Sequence, residues 1–298
     1  MSATSEALPT VASASHGAIV CFVVRLFQEK PFGAIAGLVF LLFVVCGSFA
    51  NVLAPYGFNE INLIERLQPP TWQHPFGTDN LGRDLLSRCL YGAKLSVIIG
   101  LSAAGLATVI SVSIGMLTGY LGGRVDMIGQ RLVDAYMSFP ELVILIAVVS
   151  VLGPGMLQII GVLSLVFGIA GSRIIRSAVL SVRENMYVHA AQSIGCSTGR
   201  ILWRHILPNI MPPIIVLFTT RVGAVILVES GLSFLGLGVP PPTPTWGGLL
   251  SGSGRSYMFQ GPWLALAPGL CLTVVVFATN VFGDALRDLL DPRMRGSK

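Results

Sequence analysis

The chain has 298 residues, 53% apolar and 11% charged, with a net charge of +5 and a mean hydropathy of +0.76. Charged residues make up about 25% of a typical soluble domain, so a soluble enzyme or a nucleic-acid-binding domain is excluded and membrane lipid becomes the first partner. In lipid the backbone must be paired internally, as helices or as a closed barrel; barrel strands alternate over about 10 residues, whereas the apolar runs here are uninterrupted, so an all-α membrane protein is predicted.

Residues 1–15 are small and polar and are expected to be disordered. Residues 17–28 are apolar but short, and no basic segment precedes them as in a signal peptide. They read as an interfacial helix. About 20 apolar residues cross a bilayer core. The first span is predicted at 33–54, and the second lies within the charge-free run 95–123. Residues 142–172 are also charge-free, but Gly153-Pro154-Gly155 is a turn signal. Two spans, about 133–152 and 156–173, are read there. The fifth is about 211–234 and the sixth about 263–283. Between them, Pro240, Pro241, Pro242 and Pro244 mark a stiff extended loop. The predicted layout is an N-terminal segment 1–32, a first transmembrane helix 33–54, a loop 55–94, a five-helix unit 95–284 and a tail 285–298.

Six spans leave both termini on one side. With the N-terminus inside, the inner segments carry Arg25, Lys30, Arg124, Arg131, Arg173, Arg176, Arg183, Arg200, Arg204, Arg287, Arg293, Arg295 and Lys298. The outer segments carry Arg66, Arg83, Arg88, Lys94 and Arg255. The positive-inside rule therefore places both termini in the cytoplasm and loop 55–94 outside.

The inner loop 174–210 is basic, with Glu184 its only acid. It is longer than a connector between packed helices, which needs about two to eight residues. Two helices, about 183–194 and 197–206, are expected. Gly195 makes the turn, Ser197 caps the second helix, and Pro208 ends it. A basic hairpin carrying Ile194, Ile201, Leu202 and Trp203 suits either a protein docking surface or anionic lipid.

The run Tyr187, Val188, His189, Ala190, Ala191, then Gly195 and the pair Leu207-Pro208, resembles the EAA loop of ABC importer permeases. His189 stands where that pattern favours Glu. The segment from His74 through Asp84, with Ser87-Arg88 and Tyr91-Gly92-Ala93, is similar to the entry to the second span in dipeptide and oligopeptide permeases. Asp134 through Pro140, Leu232 through Gly247, and Gly283 through Arg293 resemble later segments of the same family in order. The resemblance is to the C-type subunit of the peptide/nickel class. It implies a type I ABC importer permease fold with six transmembrane helices, in a bacterial cytoplasmic (inner) membrane. It also implies a coupling helix in 174–210. The implied partners are a B-type permease, two ATP-binding subunits and an external substrate-binding protein. Di- or oligopeptides are the implied cargo, with nickel chelates or glutathione as alternatives.

Own chemistry is not expected. Lys30, Lys94 and Lys298 never follow Gly, so no phosphate-binding P-loop exists, and the resemblance implies that ATP and Mg belong on partner subunits. His16, His74, His189 and His205 form no zinc motif. A self-sufficient secondary transporter needs mid-membrane ion sites. The intramembrane candidates are Asp134, Glu141, Arg221 and Glu229, read either as pathway-lining groups or as paired charges. Arg221 and Glu229 lie about 12 Å apart along a helix, so they are not expected to pair.

Overall fold

The computed structural model describes residues 14–290, and the expectations for 1–13 and 291–298 lie outside the described residues. Helix α1 (Ala14–Glu29) leads through Lys30 into α2 (Pro31–Ser48), and α3 (Ala50–Leu53) follows a break at Phe49. After a long loop come α4 (Leu85–Leu121), α5 (Gly123–Met137), α6 (Glu141–Leu152) and α7 (Met156–Arg183). A hairpin of α8 (Met186–Ser193) and α9 (Thr198–Ile201) leads into α10 (Met211–Phe234). Two short helices, α11 (Trp246–Leu249) and α12 (Arg255–Tyr257), precede α13 (Trp263–Leu290). Among the described residues five helices are long and apolar enough to cross a membrane, and α5 with α6, bent by 85°, makes a sixth span.

Contacts between α4 and α7 fix the direction of the chain. Ser164 of α7 donates to the carbonyl of Ala103 at 3.3 Å, and Ser111 of α4 donates to that of Gly168 at 2.8 Å. Further along, Gly115 faces Ile175 and Gly119 faces Val179. The partner numbers rise together, so the two helices run parallel. The chain leaving Leu121 must therefore travel back the whole length before Met156. Only α5 and α6 can carry it. Helix α6 has 12 residues, about 18 Å, too short to cross a core of about 30 Å alone. The third span is thus a bent pair rather than the single helix predicted at 133–152. Pro140 explains the bend, because it lacks an N–H and pushes Phe139 out of helical geometry.

The close approach of α4 and α7 comes from small residues. Ala103, Ala107, Ser111, Gly115 and Gly119 recur every fourth position on α4 and meet Ser164, Gly168 and Ser172 on α7. A Cβ on Gly115 would lie 2.7 Å from both Ile175 Cβ and the Ser172 carbonyl oxygen. In lipid, where burial of apolar surface drives nothing between helices, such stripes permit the van der Waals contact that holds spans together.

Elsewhere the pairs are antiparallel. Gly33 and Gly37 of α2 face Ala285 and Phe282 of α13, and Gly223 of α10 faces Thr279. The start of α2, the ends of α4, α7 and α13, and the start of α10 therefore share one end of the bundle with the hairpin. Lys30 Nζ donates to Asp288 Oδ2 at 2.6 Å there.

Several boundaries differ from the sequence reading. The first apolar helix stops at Ser48. The second begins at Leu85, inside the predicted loop 55–94, because Asp84 caps it by accepting the Ser87 N–H at 2.7 Å. Helices α7 and α13 continue to Arg183 and Leu290, with charged residues in their last turns. The fifth span matches 211–234. Pro208 does not end the hairpin's second helix: residues 202–206 widen to a π turn, 207–210 tighten to 3-10, and α10 follows without a break. Ser197 occupies the N-cap of α9 but its side chain makes no capping bond.

Candidate functional site

The hairpin is rooted in three spans. Val188 and Ala191 of α8, with Ile201, Leu202, Ile206 and Ile210, form one buried cluster with Met116 of α4, Ile175 and Val179 of α7, and Leu217 of α10. Inward and outward residues alternate at helical spacing on α8, so one face packs and the other is free. Gly195 turns the chain at φ +78°, a left-handed conformation that costs a residue with a Cβ. Polar bonds pin the same base. Arg183 Nη1 donates to the carbonyls of Gly119 and Tyr120 at 3.3 and 3.2 Å, and Gln192 Nε2 donates to the Tyr120 hydroxyl at 3.2 Å.

The outer face mixes polar side chains, Arg200 and Arg204 among them, with large apolar ones left in water. Met186 is 89% exposed, Ile194 80% and Trp203 72%. Tyr187, His189 and Ala190 are exposed beside them, Leu207 is half-buried, and Pro208 is exposed. Large apolar side chains left exposed on a short projection point to an interaction surface.

The four ionisable candidates do not form one site. Asp134 is exposed and pairs with Arg173. Glu141 opens α6, and the Arg221 guanidinium of α10 stacks 5.0 Å above the Phe167 ring. Glu229 is 1% exposed, and its oxygens accept the hydroxyls of Ser233 at 2.7 Å and Ser230 at 3.5 Å. As expected from their spacing, Arg221 and Glu229 do not pair.

Sequence reasoning missed the polar clamp at the opposite end. His74 is 4% exposed, with Nδ1 2.8 Å from Asp84 Oδ1 and Nε2 3.4 Å from Glu65. Asp79 is fully buried and accepts from the backbone N–H of Leu81 and from Arg83 Nε, each at 2.8 Å. Trp263 Nε1 donates to the Thr78 carbonyl at 3.2 Å, which ties this loop to α13. The available signal was the crowding of His, Asp and Arg between residues 74 and 88, too many for a solvated linker.

A family model for the inner membrane component of binding-protein-dependent transport systems matches residues 111–296. The chain belongs to that family. It is a membrane-spanning permease component of a transport system, as are its relatives. A dipeptide transport system permease of Alkalihalophilus pseudofirmus is 40% identical, over 88% of this chain and 86% of that protein. A di/tripeptide transport system permease of Pseudomonas aeruginosa is 39% identical, over 89% of both chains. An oligopeptide transport system permease of Bacillus subtilis is 37% identical, over 90% of this chain and 88% of that one. Among solved structures, an inward-facing form of the MetNI methionine ABC transporter has a chain that superimposes with a TM-score of 0.56 at 15% identity. The match covers 68% of this family member and 96% of the other chain, and it establishes a shared fold.

Proposed function

We propose that this permease is one of two membrane subunits of an ATP-driven importer that moves di- or oligopeptides into the cell. The reading that the hairpin is the element gripped by an ATP-binding subunit rests on one observation. Met186, Ile194 and Trp203 stand exposed, among polar and basic side chains, on a hairpin whose base is packed into α4, α7 and α10. A motion imposed on the tip reaches three spans at once through that cluster. Coupling demands a contact that differs between the two transport states, and a tip that is held rigidly at its base supplies the lever. His189 stands on the outer face where the EAA pattern favours Glu, so the grip does not rest on an acidic contact at that position.

The remaining parts follow from that assignment. A B-type permease completes the pathway, two ATP-binding subunits hold ATP and Mg, and an external binding protein delivers the peptide. Both termini and the hairpin face the cytoplasm, in line with the excess of Arg at that end. Identity to three named peptide permeases over most of the chain supports peptides as the cargo. The test is reconstitution of the chain with these partners in proteoliposomes, with di- or tripeptide uptake as the readout. Uptake that needs ATP and every partner is expected. Uptake by this chain alone, without an ATP-binding subunit, would contradict the proposal.

A further inference from the structure

At the end of the bundle away from the hairpin lies a cavity of about 290 Å³. It opens between the start of α4 and the proline-rich segment after α10, with Arg83 and Arg88 on one side and Pro242, Ser251 and Ser253 on the other. None of its lining residues is acidic. Both guanidiniums lean on a single carboxylate. Arg83 Nε donates to Asp79 Oδ2 at 2.8 Å, while Arg88 Nε stands 3.7 Å from the same oxygen. The other oxygen, Oδ1, is taken by the N–H groups of Leu81 and Arg83.

The Arg88 side chain is 8% exposed, and its Nε is buried without a hydrogen-bond partner. Its Nη1 donates to the Phe58 carbonyl at 2.9 Å. Nearby acids are turned away from the recess. Asp84 and Glu65 face His74, and Glu229 lies behind Ser233, whose hydroxyl it accepts. Two cations thus share one anion beside a recess without an acid in its lining, and Arg88 Nε, facing that anion at 3.7 Å, makes no hydrogen bond.

The geometry points to a subsite for the free carboxylate of the transported peptide, held by Arg88 with Arg83. The inference rests on the peptide reading above. A guanidinium fork matches a carboxylate in shape and charge. A recess this small, lined largely by prolines, glycines and serines, takes a chain end readily. A folded protein surface would have to thread a side chain into it.

The test is equilibrium binding of labelled trialanine to the assembled membrane complex in nanodiscs, without the binding protein, competed by trialanine or by trialanine amide. In the wild type the amide is expected to compete at least about tenfold more weakly, and Arg88→Gln and Ser253→Glu to bind the acid at least about tenfold more weakly. Arg88→Gln also releases the Phe58 carbonyl. Ser253→Glu leaves that bond intact and places a fixed carboxylate in the recess, so it decides the matter if the first variant does not assemble. Equal competition by the amide, no binding by the wild type, or wild-type binding by either assembled variant overturns the subsite. ATP-driven uptake of trialanine by the full wild-type system is measured in parallel. Its absence would count against the peptide reading itself.

Discussion

Arg176 of α7 holds Asp126 of α5 through two parallel hydrogen bonds, Nε to Oδ1 at 2.6 Å and Nη2 to Oδ2 at 2.5 Å. The pair is bidentate and about three-quarters shielded from water, with side-chain exposures of 28% and 20%. It fastens the first half of the bent third span to the fourth. Arg176→Ala is expected to cost about 1 kcal/mol, more than a fully exposed pair and well short of a buried one. The exchange Arg176→Asp with Asp126→Arg should recover part of it. Thermal unfolding of the purified protein in detergent checks both, and a double variant no better than the single one would assign the loss to something other than the pair.

Packing of α4 on α7 gives a second expectation. Gly115→Leu forces the backbones apart, because even a Cβ there lies 2.7 Å from Ile175 and Ser172. Overpacking of this kind costs about 1–3 kcal/mol. Gly105→Leu, on the same helix with nothing within 4 Å of its Cβ, should leave stability unchanged. Melting temperatures of the two variants, compared side by side, decide it.

Glu229 yields a prediction with a definite sign. A carboxylate buried at 1% exposure with only two serine hydroxyls for company is poorly solvated. Glu229→Gln keeps its shape and removes the charge, so stability should hold or rise. Ser233→Ala strips its 2.7 Å donor and should destabilise by about 1–3 kcal/mol. If Glu229→Gln destabilised the purified protein strongly, an ionised carboxylate would be required there.

The turn of the hairpin separates backbone strain from steric fit. At Gly195 the space beyond Cβ is empty, yet φ is +78°. Gly195→Val should therefore cost about 1–2 kcal/mol through conformation alone. Gly195→Asn, which tolerates this region better, should cost less. Limited proteolysis between Ile194 and Ser197 reports the loosening, and equal cleavage in both variants would show that φ does not control the turn.

Much of this was legible in the residues, for identifiable reasons. Apolar runs set the number of spans, and the limits of the fifth, 211–234, follow its apolar run. Span lengths were not legible, since α4 reaches back past Arg88 and Lys94 into a segment that hydropathy counts as polar. The cap that starts it, Asp84, was visible but unread. The bend at Pro140 was present as a residue but masked by the apolar residues after it. Pro208 misled in the opposite sense: a helical path absorbs it by widening and tightening its turns. Ion pairs were the least legible part. Arg176 and Asp126 are 50 positions apart, and only the packing of α5 on α7 brings them together. The stripe Ala103, Ala107, Ser111, Gly115, Gly119 needed no structure to be seen, only a search at every fourth residue.

The central claim is that the hairpin tip is where a separate ATP-binding subunit takes hold. Its most direct test is the double change Ile194→Asp with Trp203→Asp, in the reconstituted importer. Both side chains lie outside the buried cluster, so the stability of the isolated permease, followed by thermal unfolding, should stay within about 0.5 kcal/mol of the wild type. Co-purification of the ATP-binding subunits and ATP-driven peptide uptake should each fall at least about tenfold, the loss of one fully buried apolar contact or more. Full occupancy by those subunits together with undiminished uptake would contradict the account.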